Sequence, residues 1–116
     1  MLVAWETEEQ NPALVGDAVG QAGSVAVSLG DRPQVFVTGT VSLDAGRMPE
    51  ILALRDGAET ARAIVLHELG HLVGLGHVED PEQLMYPEAR REVPDFASGD
   101  LTGLAVLGAG PCVPEL

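Results

Sequence analysis

The chain has 116 residues, and 46 % hydrophobic content is material for one modest core, which excludes a multi-domain organisation. Eighteen acidic side chains against six basic ones, all arginine, give a net charge of −12, a field that repels phosphate backbones and anionic lipid, so no nucleic-acid or membrane partner is expected. No apolar run nears the roughly 20 residues of a membrane span, residues 1–6 lack the features of a signal peptide, and the single cysteine, Cys112, excludes an internal disulfide and a multi-cysteine zinc site.

Leu2-Val3-Ala4-Trp5 is an apolar run that stops at Glu6, Glu8 and Glu9, and it reads as a strand leading into a solvated loop. Residues 11–23, with Pro12 and three glycines, are expected to be irregular apart from a turn of helix around Pro12. Alternation of Val25, Val27 and Leu29 with Ala26 and Ser28 predicts a half-buried strand over 24–29, and Gly30-Asp31-Arg32-Pro33 a turn. Residues 35–43 resume the alternation, with Gly39 as the expected bulge, so the two strands should form an antiparallel pair.

Residues 46–55 read as a connection with room for a short helix. Asp56 followed three residues later by Glu59 has the spacing of a capping pair, and the helix it opens should run over 58–73, with Gly74 supplying the left-handed residue that ends it. An acidic loop (Glu79, Asp80, Glu82), the segment Leu84-Met85-Tyr86-Pro87 and a polar stretch to Phe96 follow. Ser98 or Gly99 with Asp100 opens a last helix over 101–107, closed by Gly108.

The chain has three histidines, His67, His71 and His77, all within eleven consecutive residues. From 63 to 73 the predicted helix is apolar nearly all round, the pattern of a buried helix, with His67, Glu68 and His71 as exceptions. Burying these three without partners costs several kcal/mol, and a divalent cation compensates all of them. His67 and His71, four apart, project from one face about 6 Å apart and within reach of one ion. On a straight helix His77 would lie roughly 9 Å farther along and on another side, so the chain must turn back, and Gly74 and Gly76 lie where it has to. Glu68, about 100° around from His67, is badly placed as a ligand and well placed to touch a water at the ion. Three neutral imidazoles and an open position are the donor set of a catalytic zinc, with Glu68 as general base.

The run His67-Glu68-Leu69-Gly70-His71-Leu72-Val73-Gly74-Leu75-Gly76-His77 resembles the metzincin signature H-E-x-x-H-x-x-G-x-x-H. Leu84-Met85-Tyr86-Pro87 resembles the Met-turn of the matrixin branch, the matrix-metalloproteinase-like peptidases, and the helix after Gly99-Asp100 resembles that family's closing helix. The resemblance implies an α+β, zincin-like catalytic domain in which a small, mostly antiparallel sheet packs on the active-site helix, followed by a Met-turn and a C-terminal helix. It implies one catalytic zinc on His67, His71 and His77, Glu68 as general base, and Met85 as an apolar floor that does not ligate.

It further implies an antiparallel edge strand that holds extended substrate by main-chain hydrogen bonds. The best match is 24–29, with Val25, Ala26 and Val27 as substrate-binding residues, while Tyr86 and Pro87 border the pocket for the side chain after the scissile bond. The expected partner is a protein or peptide substrate, the expected state a monomer, and the expected location secreted and extracellular. Matrixins usually carry a tyrosine where this chain has Ala89, which puts pocket depth in question. They also begin with a strand, a helix and another strand before the segment that matches Leu2-Val3-Ala4-Trp5, so residues 1–116 read as a single catalytic domain lacking that portion: either the start of the protein is absent from this chain, the favoured reading and one with room for a partner of the unpaired Cys112, or this is a reduced version with an exposed sheet edge. Structural calcium is common in the family, and Asp44 matches one position, but Ala45-Gly46-Arg47 do not supply the rest.

Three functions stay open from the sequence: a zinc endopeptidase; a non-catalytic zinc-binding fragment or pseudoenzyme; and a structural zinc module whose coordination Cys112 or Asp80 closes. Glu68 argues for the first, since a purely structural site has no use for it. An open site should bind hydroxamates and hydrolyse a denatured protein, and a closed one should do neither.

Overall fold

The computed structural model describes residues 1–114; the last two residues of the expected domain lie outside the described ones. Three strands, β1 (Leu2–Glu6), β2 (Gly20–Val27) and β3 (Val35–Asp44), form one sheet in the order β1-β3-β2, and three helices follow: α1 (Arg47–Leu52), α2 (Gly57–Val73) and α3 (Ser98–Leu107). The fold is α+β with a small mixed sheet: β2 runs antiparallel to β3 and β1 runs parallel to it. A single 3₁₀ turn, Pro12–Leu14, is capped by Asn11, whose side chain accepts from the Ala13 N–H at 3.1 Å.

The core forms where α2 crosses the sheet. Val41 and Leu43, two apart and so on one face of β3, are buried with Met48 of α1 and Ile64 of α2, and Val19, Ala22, Ala61, Val65 and Leu72 pack around them. Each fully buried side chain of this size stabilises the fold by about 1.5–3 kcal/mol. α2 is less enclosed than its composition predicts: Ala63, Ile64, Glu68 and Gly70 are buried, while Leu66, Leu69 and Leu72 are half-buried and Val73 is exposed.

Several expectations are corrected. β2 begins at Gly20 and ends at Val27, so the glycine-containing stretch read as loop is its first half. Gly39 is no bulge: it pairs regularly with Ser24, and the irregularity lies where Val25 pairs with Thr38 and Ala26 with Phe36, leaving Val37 without a partner. What Gly39 provides is room, since a side chain there would run into Leu72 and the Gly23 carbonyl. Asp56 does not cap α2 through its side chain. It adopts a left-handed φ of 59°, which turns the carboxylate away from the first-turn amides, and its carbonyl instead accepts from the Thr60 N–H and hydroxyl at 3.1 and 3.2 Å. α3 starts at Ser98, three residues before the expected 101. Among the described residues no helix is long and apolar enough to cross a membrane.

Candidate metal centre

α2 presents His67 and His71 one turn apart and ends at Gly74, whose φ of 115° is strained for any residue with a side chain. The Gly74 N–H donates to the His71 carbonyl at 3.0 Å and the Leu75 N–H to Gly70 at 2.9 Å, which closes the helix and reverses the chain. The reversal brings His77 back over the helix. The three Nε2 atoms form a near-equilateral triangle: His67 to His71 3.1 Å, His67 to His77 3.1 Å and His71 to His77 3.0 Å.

These contacts are not a hydrogen-bonded set. His67 Nδ1 lies 2.7 Å from the Leu84 carbonyl and His71 Nδ1 2.8 Å from the Leu75 carbonyl. A carbonyl only accepts, so both Nδ1 atoms carry the hydrogen, and the two Nε2 atoms turn bare lone pairs toward each other. That arrangement is repulsive unless a cation lies among them. His67, His71 and His77 would hold a divalent cation through these three nitrogens, a donor set that suits zinc. Burial is the main cause lowering the pKa of both His67 and His77, with the neighbouring imidazoles adding to it, and this favours the neutral, ligating form. Among the described residues the cluster contains His67, His71 and His77 only, so neither Cys112 nor Asp80 closes it.

The reversal and the segment after it are held by α3. The buried Asp100 carboxylate accepts from the Leu84 N–H at 2.7 Å, the Met85 N–H at 3.2 Å and the Ala97 N–H at 2.9 Å. Gln83 Oε1 accepts from Gly99 and Asp100 at the start of α3 at 2.8 and 3.2 Å. Asp100 thereby fixes the Leu84 carbonyl that orients His67. Met85 is fully buried, and a methyl group added to Gly70 would lie 2.6 Å from its Sδ, so its thioether rests against α2 at Gly70.

A cleft of about 710 Å³ opens beside the triangle. Its floor includes Ala63, Ile64 and Glu68 of α2; one wall is formed by residues 17–24, and the other includes Gln83, Leu84, residues 87–90 and Val93. Glu68 is buried, which pushes its carboxyl up to about 7. Its Cγ lies so close to β2 that a side chain at position 20 would require the Glu68 carboxylate to move.

Of the residues expected to bind substrate, Pro87 lines this cleft and Tyr86 does not. Val25, Ala26 and Val27 lie on the edge strand β2 but past the cleft, whose wall ends at Ser24. The physical reason is the crossing of α2, which meets the first half of β2, where glycine permits close approach. Hydrophobic alternation marked the second half. Asp100 was legible as a helix opener but not as an acceptor for the Met85 segment, because its partners are 15 and 16 residues away.

The sequence profile of the Peptidase M10 family, described as Matrixin, matches residues 3–107. The chain is also similar to "Metalloendoproteinase 2-MMP" of Arabidopsis thaliana, with 42 % identity over 53 residues, a match covering 42 % of this chain and 14 % of that protein. No solved structure matches the chain.

Proposed function

The chain belongs to the matrixin family, and on that premise we propose that it is a zinc-dependent endopeptidase that hydrolyses peptide bonds of extended protein substrates. The observation that carries this reading is the convergence of three imidazole Nε2 atoms within 3.1 Å of one another in a cleft that also holds the buried Glu68.

In this reading His67, His71 and His77 hold one zinc ion, and residues 1–116 work as one catalytic domain. The chemistry that bound zinc supplies is Lewis acidity, which makes an attacking water more acidic and a carbonyl carbon more electrophilic. The outer edge of β2 at residues 20–24 pairs with the substrate main chain and holds it extended across the cleft. Glu68 takes a proton from the water whose oxygen bonds to the scissile carbon, then delivers it to the departing amine nitrogen as the carbon–nitrogen bond breaks. In the metal-free chain burial raises the proton affinity of this carboxyl, in keeping with a group that must take up a proton and then give it away. The apolar part of the cleft, Ala63, Ile64, Leu84 and Val93, takes the side chain after the scissile bond, bordered by Pro87. Family membership supports a secreted, extracellular setting.

Zinc analysis with a chelator-sensitive assay on a denatured protein or quenched peptide tests the proposal, with Glu68→Gln beside the wild type. The expected result is one zinc per chain in both proteins and hydrolysis by the wild type alone, with kcat/KM at least about a hundredfold higher than in the variant. Zinc uptake by a wild type that cleaves nothing would favour the non-catalytic zinc-binding reading.

A further inference from the structure

We infer that Arg47 is a positioning residue that holds the β2-side wall of the cleft in place, its guanidinium donating to one segment and forming ion pairs with two others; its effect on substrate rests on the peptidase reading above. Arg47 is the first residue of α1, directly after the end of β3. Its Nη2 donates to the Gly16 carbonyl and lies 3.9 Å from Glu8 Oε1. Its Nε lies 3.8 Å from Asp44 Oδ2. Asp44 is only 3 % exposed, and that oxygen has no hydrogen-bond partner among the described residues. Its other oxygen accepts from the Gly46 N–H at 2.8 Å and the Arg47 N–H at 3.1 Å.

Exposed ion pairs are worth little singly. Here, however, one planar guanidinium faces a buried carboxylate, and the fork reaches Gly16 and Asp44 together, which a point charge on a flexible stem does not. The chain beyond Gly16 is where the cleft begins: Asp17, Ala18 and Val19 line it. Gly16 itself turns with φ of 94°. At the far end of this short segment the Val19 carbonyl accepts from the Asp44 N–H at 2.9 Å. The segment is therefore pinned at both ends to the same place, the end of β3, by Arg47 at Gly16 and by the Asp44 amide at Val19. Releasing the first pin loosens the wall at residues 17–19, whereas Gly20, which abuts Glu68, stays paired with Leu43 of β3.

Two readouts test this. In the metal-free protein, Arg47→Gln should speed hydrogen exchange of the Asp44 amide by about tenfold or more while the Val41 amide in the core of β3 is unchanged. In the zinc-loaded protein it should raise KM for a peptide by about fivefold or more with kcat within about twofold, because binding is lost and the chemical groups are not. Arg47→Lys, which keeps the charge and reaches one acceptor at a time, should fall between wild type and Arg47→Gln on both scales and carries the test alone should the glutamine variant not fold. Unchanged exchange at Asp44, equal acceleration at Asp44 and Val41, or an unchanged KM would overturn the inference. If the wild type hydrolyses nothing, the peptidase reading fails, and the exchange experiment still decides the clamp.

Discussion

Gly20 and Glu68 stand so close that a methyl group on Gly20 would lie 2.7 Å from Glu68 Cγ and 2.9 Å from its Oε1. The edge strand and the proposed base are thus in contact, and the carboxylate has its position because the strand carries no side chain at that point. Gly20→Ala should therefore push the carboxylate aside. Displacement of a reacting group by about 1 Å costs on the order of a hundredfold, so kcat should fall by about tenfold or more at unchanged zinc content. Steady-state kinetics beside metal analysis checks this; an alanine variant with full kcat would show that Glu68 does not need that position.

His77 is exposed over most of its surface, with only part of its ring desolvated, and comes from the reversed segment, so removing that ring should leave the metal-free fold almost intact. His77→Ala is expected to shift metal-free stability by no more than about 0.5 kcal/mol and to weaken zinc binding by about tenfold or more, as loss of one ligand in three requires. Competition with a chromogenic chelator measures the second effect. Undiminished affinity would remove His77 from the ligand set.

Asp100 accepts three backbone N–H groups while buried, and hydrogen bonds to a charged group are worth about 1.5–3 kcal/mol each. Asp100→Asn replaces an acceptor oxygen with a donor and should destabilise the metal-free chain by about 2–4 kcal/mol, read from urea denaturation. It should also loosen zinc, since the Leu84 carbonyl that orients His67 loses its support. A loss below about 0.5 kcal/mol would mean that the Met85 segment holds without it.

Glu68 keeps its proton up to about pH 7 in the folded chain, whereas an ordinary glutamate releases it near 4.5. Between these values the folded state binds the extra proton, so this group's contribution to stability is complete below about pH 4.5 and is lost as pH rises through 7. His67 and His77 act in the opposite sense, because burial lowers their pKa and their contribution grows toward pH 6.5. Comparison with Glu68→Gln cancels the histidines. The metal-free variant should gain about 1–3 kcal/mol on the wild type between pH 4.5 and 8, allowing for solvent screening, and a difference that stays constant across that range would contradict a raised Glu68.

The histidine triangle was legible in one dimension because its geometry is mostly local. His67 and His71 share a face by helical pitch, and the approach of His77 needs only a left-handed residue, which Gly74 supplies at φ 115°. α2 itself, its end, the antiparallel β2–β3 pairing and the turn at Pro12–Leu14 follow from periodicity and turn chemistry in the same way. What tertiary structure decided are the meetings of distant residues: which half of β2 faces the cleft, where α2 meets Gly20, how Asp100 reaches back to Leu84 and Met85, and how Arg47 joins Gly16 to Asp44. Asp56 shows the same limit from the other side, its capping spacing present and its backbone turned to φ 59°. Spacing along a chain encodes the angle between neighbours on one helix, whereas the contact between two elements depends on packing that no stretch of either contains.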